Sequence, residues 1–266
     1  MRFLRHFKLT RYLLRVTRDS QYGDSMERVM YNTVLGAKPL QADGRTFYYS
    51  DYNFEGRKVY SNHRWPCCSG TLPQVATDYR INTYFRDAQS VFVNLYIPST
   101  LHWTHQGIKV SLVQKGSYPY DGAIEFEFAL SKPTDLFANL RIPAWAEGAS
   151  ISLNGKRWTD PVPPGTFASL RREWKDGDHL ELELPMRMRL EALDARNPET
   201  VALLRGPLVL FAVTTSAERI SRQQLLNAKD AGAGKWQVAT ARGPMTMLPF
   251  TAIEDEQYST YLKVSG

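Results

Sequence analysis

Hydrophobic positions change their period once along this chain. In the first 35 residues they recur at near-helical spacing: Phe3, Leu4, Phe7, Tyr12 (or Leu13), Leu14 and Val16, then Tyr22, Met26, Val29, Met30 and Val34. Such spacing gathers each set on one face of a helix. It predicts a first helix ending near Thr17 and a second opening after Asp19 or Ser20, either of which can cap it. Leu72, Val75, Ala76, Tyr79 and Thr83 repeat the helical spacing and predict a further helix over Leu72–Phe85. The stretch between, 36–62, is loop-rich. Its Asp43-Gly44 is a hairpin-turn signal ahead of the aromatic run Phe47-Tyr48-Tyr49.

From Ser90 the period becomes two. Val91–Ile97, Ile108–Leu112, Ile124–Phe128, Phe137–Ile142, Ile151–Leu153 and Leu180–Leu184 alternate apolar with polar residues, and Asn154-Gly155 and Asp176-Gly177 supply turns. Short alternating strands with turns between them predict an antiparallel β-sandwich. After Pro185 the rhythm restarts at Met186–Leu190. Val201–Val213 then reads as two buried strands broken at Gly206-Pro207. Residues 214–240 are polar and helix-prone, and Met245–Val264 offers further strands of a second β module, expected to be incomplete. The expected organisation is a helical part over 1–86, a β-sandwich over 87–188 and a second one over 189–266, a mixed but mainly β fold.

Composition narrows the classes. At 266 residues, 43% hydrophobic and 12% aromatic, the chain can bury several cores. No run of about 18 apolar residues occurs, so no membrane span is expected. The net charge is +6, and Arg2, Arg5, Lys8, Arg11, Arg15 and Arg18 precede any acidic residue. The apolar face threaded among them makes this a basic amphipathic helix rather than a targeting peptide or nucleic-acid arm. There is no continuous apolar leader and no small-residue cleavage site, so no signal peptide is read. The first helix opens at Met1 without a cap and with its apolar face already running, which leads us to expect a fragment.

Both cysteines stand side by side in His63-Arg64-Trp65-Pro66-Cys67-Cys68-Ser69-Gly70-Thr71, at the seam between the helical and strand-rich parts. Two cysteines make no disulfide framework, and neighbours in sequence bridge badly. They are therefore either reduced and inert in a core, which is the simpler reading, or a functional thiol site. A thiolate is both a nucleophile and a soft metal ligand. Zinc wants about four ligands. Cys67 and Cys68 supply two, and His63, Glu27 or Glu55 could add a third only through folding. Other constellations are missing: no Gly-rich phosphate loop, no His-Glu-x-x-His, no Gly-x-Ser-x-Gly. His102 and His105 around Trp103 read as a surface loop, and Glu125 and Glu127 as the solvated face of the sandwich.

Four segments together resemble one family. Asp24-Ser25-Met26-Glu27-Arg28-Val29-Met30-Tyr31-Asn32, Asp43-Gly44-Arg45-Thr46-Phe47-Tyr48-Tyr49, Trp65-Pro66-Cys67-Cys68 and Leu204-Arg205-Gly206-Pro207-Leu208 are similar, in order and approximate spacing, to the β-L-arabinofuranosidases of glycoside hydrolase family 127. The resemblance implies the last helices of an (α/α)6 barrel followed by two antiparallel β-sandwich domains. It implies a retaining glycosidase with a zinc-bound cysteine nucleophile, acting on an arabinose-containing glycan or glycoside. Cys67 then corresponds to the nucleophile and a zinc ligand, and Cys68 to a second zinc ligand. Glu27 matches a substrate-contacting acid. Tyr49 matches a sugar-contacting tyrosine, given about two extra residues in the Pro39–Ala42 region.

The chain departs from the family in three respects. The family's other zinc ligands, a Glu and a Cys on a helix, precede the segment matching Asp24–Asn32 and find no counterpart here. Its general acid/base glutamate and most of its sugar-binding histidines lie further upstream still. Ser69-Gly70-Thr71 replaces prolines after the cysteine pair, which leaves the sugar open. The resemblance therefore implies the C-terminal part of such an enzyme, with little activity alone. The alternative is a non-catalytic carbohydrate-binding or assembly module, drawn from the aromatic richness and the missing catalytic groups. Nucleic acid is not an expected partner.

Overall fold

The computed structural model describes residues 2–51, 55–64, 74, 77–214 and 220–265, without the side chains of 2–5 and 48–50. Two helices open the chain, α1 over Arg2–Thr17 and α2 over Gln21–Val29, the second running into a π-helical turn, Met30–Val34. Asp19 starts α2, its Oδ1 accepting the Gln21 backbone N–H at 3.0 Å. Strands dominate the rest. Among the described residues no helix is long and apolar enough to cross a membrane.

Contacts divide the chain into two compact units, neither of them continuous. One joins 2–27 to 76–186, and the other joins 28–75 to 187–266.

In the first unit two sheets face each other. A six-stranded sheet is built from Ser99–His105, Ile108–Gly116, Ala123–Leu130, Ser150–Leu153, Lys156–Arg157 and His179–Glu183. A four-stranded sheet contains Tyr84–Arg86, Ser90–Val93, Thr134–Ile142 and Thr166–Trp174. Ala123–Leu130 shows how pattern becomes packing: every second residue, Ile124, Phe126, Phe128 and Leu130, is buried, while Glu125 and Glu127 face solvent. Phe128 stacks on Trp174 of the opposing sheet at 4.1 Å, and Trp174 donates its indole N–H to Leu136 O at 3.0 Å. Among the described residues, pairing departs from a purely antiparallel sandwich where Ser90–Val93 runs parallel to Thr134–Ile142.

In the second unit the described residues form one connected eight-stranded sheet, centred on the hairpin Thr200–Arg205/Leu208–Val213 that turns at Gly206-Pro207. Its core gathers Leu204, Val209, Phe211, Leu248, Phe250 and Tyr258, with Phe47 packed against it. Phe47 comes from a two-stranded hairpin, Phe47–Ser50 with Lys58–Tyr60. The Asp43-Gly44 turn precedes this hairpin and is closed by Gln41 N–H donating to Arg45 O at 2.9 Å.

Several expected elements differ. The helix expected over Leu72–Phe85 ends at 81, and Tyr84–Arg86 is a strand. His102 and His105 lie on a strand rather than a surface loop. His105 is buried, its Nε2 lying 3.1 Å from Asp135 O. Residues 220–240 hold three short strands around one short helix, Arg222–Leu226, rather than a longer helix.

Lys58 shows how the second unit handles a buried cation. Its Nζ donates to Phe250 O at 2.7 Å and Ile253 O at 2.6 Å and sits 4.2 Å from the Phe250 ring centre. Burial pushes the ammonium down to about 8; Lys38 adds to this, while Glu256 and Glu254 oppose it. Unfolded lysine keeps its proton to about pH 10.4, so between the two values the unfolded state binds more protons and stability rises with pH. The rise from pH 7 to pH 9.5 is expected to be about 2 kcal/mol, and Lys58→Met should abolish it. Urea unfolding of both proteins at the two pH values checks this. An equal rise in the variant would show that Lys58 is not its source.

Candidate functional site

Of the residues singled out by sequence, Glu27 is the one whose side chain can be followed through its hydrogen bonds to described partners. It lies in α2 at 2% exposure and is met by the strand Thr134–Ile142. Arg141, from that strand, is completely buried and donates Nη2 to Glu27 Oε1 at 2.6 Å. Its Nη1 pairs with Asp24, one helical turn earlier. Its Nε donates to Asn94 O at 2.5 Å. Tyr118 donates its hydroxyl to the same Glu27 Oε1 at 2.6 Å. Tyr96 donates to the Arg141 carbonyl and places its ring 5.6 Å from the guanidinium. The second oxygen of Asp24 accepts the Ala144 N–H at 2.9 Å.

Helix geometry explains why two carboxylates reach one arginine. Asp24 and Glu27 are three apart and so share a face of α2. Gly23 lets that face approach closely: a Cβ there would lie 2.2 Å from Asn94 Oδ1 and 2.5 Å from Arg141 Cδ. Gly23→Ala is therefore expected to lose about 1–3 kcal/mol through overpacking, despite the ~1 kcal/mol that Ala gains in a helix. A chemical-denaturation midpoint measures it, and an unchanged midpoint would show that Asn94 and Arg141 can move aside.

The electrostatics follow from burial. Desolvation raises the Glu27 pKa, against the lowering pull of Arg141 and with a further push from Asp24; the Tyr118 hydrogen bond lowers it. Burial works against the Arg141 charge too, but the carboxylates of Glu27 and Asp24 outweigh it and hold the guanidinium protonated. Burial pushes the Tyr96 phenol up. The cluster thus fixes a carboxylate in one orientation with two strong donors on one oxygen.

The other candidates are placed less fully. Tyr49 lies in the strand Phe47–Ser50. Cys67 and Cys68 fall outside the described residues. Two thiols are soft donors that suit zinc, but among the described residues no group of three His, Cys, Asp or Glu side chains could hold a metal ion. Sequence reading missed Arg141, Asp24, Tyr118 and Tyr96. One signal was available: Arg141 is the lone charge in Ala138-Asn139-Leu140-Arg141-Ile142, a run buried throughout.

Comparison with known proteins matches two family models, "Beta-L-arabinofuranosidase, GH127 catalytic domain" over residues 4–80 and "Beta-L-arabinofuranosidase, GH127 middle domain" over residues 90–186. Together they take in well over half of the chain. The protein belongs to glycoside hydrolase family 127. Solved structures agree in fold. A GH127 β-L-arabinofuranosidase from Geobacillus stearothermophilus T6 superposes with a TM-score of 0.80 at 21% identity, covering 98% of this chain and 49% of that one. A protein described as a glycoside hydrolase gives 0.77 at 20% identity, covering 98% and 51%. Another GH127 β-arabinofuranosidase gives 0.78 at 20% identity, covering 98% and 48%. This GH127 chain therefore spans about half the length of these structural relatives. No curated protein matches its sequence. The GH127 models place Glu27 in the catalytic match and Arg141 in the middle-domain match, so the cluster joins side chains from both.

Proposed function

We propose that this chain is the C-terminal part of a retaining glycosidase that removes L-arabinofuranose from a glycan or glycoside. The observation that carries the reading is the pair of GH127 matches over 4–80 and 90–186. Its span of about half the length of its structural relatives supports a role within a longer protein that completes an (α/α)6 barrel. Cys67 is the nucleophile. Its sulfur attacks the anomeric carbon as the aglycone oxygen leaves with a proton from a general acid, giving a thioglycoside. Water then displaces the sulfur with retention overall. The acid/base carboxylate comes from outside this chain. Zinc held by Cys67 and Cys68, together with ligands the chain does not supply, would keep the nucleophile as a thiolate. Glu27 and Tyr49 contact the sugar, Glu27 as a carboxylate oriented by Arg141 and Tyr118.

The test is covalent labelling with an L-arabinofuranosyl bromoacetamide, followed by peptide mapping. We expect an adduct on Cys67, slower with the D-configured reagent and lost in Cys67→Ala. Equal labelling by both sugars, or none at Cys67, would overturn the reading. The chain alone should turn over β-L-arabinofuranosides slowly or not at all; fast hydrolysis abolished by Cys67→Ala would instead show that it carries its own acid/base group.

A further inference from the structure

The unit formed by 2–27 and 76–186 contains a groove of about 600 Å³ beside α1, within the ~300–1,000 Å³ range of small-molecule sites. Glu27 is not among the described residues that line it. Four arginines do, Arg11, Arg15, Arg18 and Arg86, against one acid, Asp87. Two of the four are engaged. Arg11 pairs with the buried Asp78 at 3.1 Å. Arg18 reaches Asp87 at 3.1 Å with 63% of its own side chain exposed, an exchangeable contact of little worth. Arg15 and Arg86 pair with no carboxylate among the described residues, and Arg86 lies 6.0 Å over the Trp103 ring.

The floor is aromatic. Phe92 and Phe167 meet edge to face at 5.5 Å and remain half-buried, with Phe85 beside them; the exposed Arg18 guanidinium lies 5.6 Å over the Phe92 ring, where a sugar face would displace it. Tyr12, on the rim, is 58% exposed. Guanidinium forks match carboxylates in shape as well as charge. Flat, half-dry rings accept the C–H face of a sugar ring while its hydroxyls stay wet. The excess of cations over the single acid raises the local concentration of anions.

We propose that this groove binds a carboxylate-bearing sugar chain of the uronic-acid type, with Arg15 and Arg86 taking the carboxylates and the Phe92–Phe167 floor taking a ring face. The carboxylate preference rests on the arginines alone. The choice of a sugar as its carrier rests on the glycosidase reading above.

Calorimetric titration of the full chain with trigalacturonate, with neutral galactotriose and with triglutamate at low salt tests it. Trigalacturonate should bind saturably and at least about tenfold more tightly than either comparator. It should lose at least about tenfold in the Arg15→Gln/Arg86→Gln double variant, as loss of charge-assisted hydrogen bonds requires, and weaken as salt is added. Both residues are exposed, so the variant should keep its melting temperature; Arg15→Gln alone serves if it does not. The proposal falls if galactotriose binds equally well, if triglutamate does, if the variants bind like the parent, or if trigalacturonate does not bind at millimolar concentration. Failure here leaves the Cys67 labelling result standing, and failed labelling leaves the carboxylate preference measurable.

Discussion

Arg141→Met should destabilise the protein by about 3–5 kcal/mol at neutral pH, because it leaves the buried Glu27 carboxyl and the partly exposed Asp24 without their counter-charge. The arginine is fully buried and binds both carboxylates. The loss carries a pH signature whose sign is fixed by Glu27. Its pKa is raised in the folded state, mainly by desolvation, so the folded protein binds that proton more tightly than the unfolded chain. The corresponding stability is present at low pH and is lost as pH rises through the raised value. Arg141 is the main group that restrains this rise, ahead of the Tyr118 hydrogen bond. Without it the Glu27 pKa climbs further, and the variant should fall behind the parent more at pH 7.5 than at pH 5. Urea unfolding at both values measures the gap. Adding Glu27→Gln to Arg141→Met should recover part of the loss at pH 7.5 and little at pH 5. A gap below about 1 kcal/mol, or one independent of pH, would show that the carboxylates find water or another donor.

The same experiment bears on function. A carboxylate in the role proposed for Glu27 has to be held still, and here the strand of one family-matched segment holds the helix of the other. A Glu27→Gln variant keeps the shape and one acceptor oxygen for Arg141 and Tyr118. Comparing it with Arg141→Met in the labelling of Cys67 separates the charge of Glu27 from its orientation.

Much of the fold was legible from sequence because burial on one face leaves a period. The alternation in Ala123–Leu130 reads directly as a half-buried strand, and Asn154-Gly155 is a turn because both residues adopt positive φ, 51° and 74°. Where the period misled, a physical reason stands out. The helix read through Leu72–Phe85 stops at 81, where Asn82 turns its side-chain amide back to Asp78 O at 2.6 Å and Thr83 O accepts the Asn94 N–H instead. Ser99–His105 was hidden by exposed His102 and Thr104 on an edge strand of its sheet. Thr166–Trp174 was hidden by Arg171, Arg172 and Glu173, although Ala168, Leu170 and Trp174 are buried. The Arg141 cluster was illegible for a different reason: its partners lie 114 and 117 residues away, and composition does not say which acid a buried arginine will find. Glu27 could be picked out by resemblance, and Asn32 stood in the same motif without a role.

Asn32 has one in the unit of 28–75 and 187–266. Its side chain donates to Pro207 O at 2.8 Å, accepts the Val209 N–H at 2.7 Å, and donates to Arg28 O at 2.9 Å. It therefore ties the π-helical turn after α2 to the Gly206-Pro207 break of the central hairpin, joining the first and last of the four segments that carry the family resemblance. A proline at 207 supplies no N–H, and its carbonyl, buried at a turn, needs an outside donor. Asn32→Leu removes both partners at once and strands a backbone donor and a backbone acceptor away from water. At about 1–3 kcal/mol for each of the two unpaired groups, the expected loss is about 2–6 kcal/mol. Asn32→Asp should keep the Val209 bond and lose those to Pro207 and Arg28, landing between the parent and Asn32→Leu. Amide hydrogen exchange localises the effect: Val209 N–H should lose protection in Asn32→Leu and retain it in Asn32→Asp. If Val209 stays protected in both, the hairpin is held by its own ladder, and the Asn in this motif is explained by something other than these bonds.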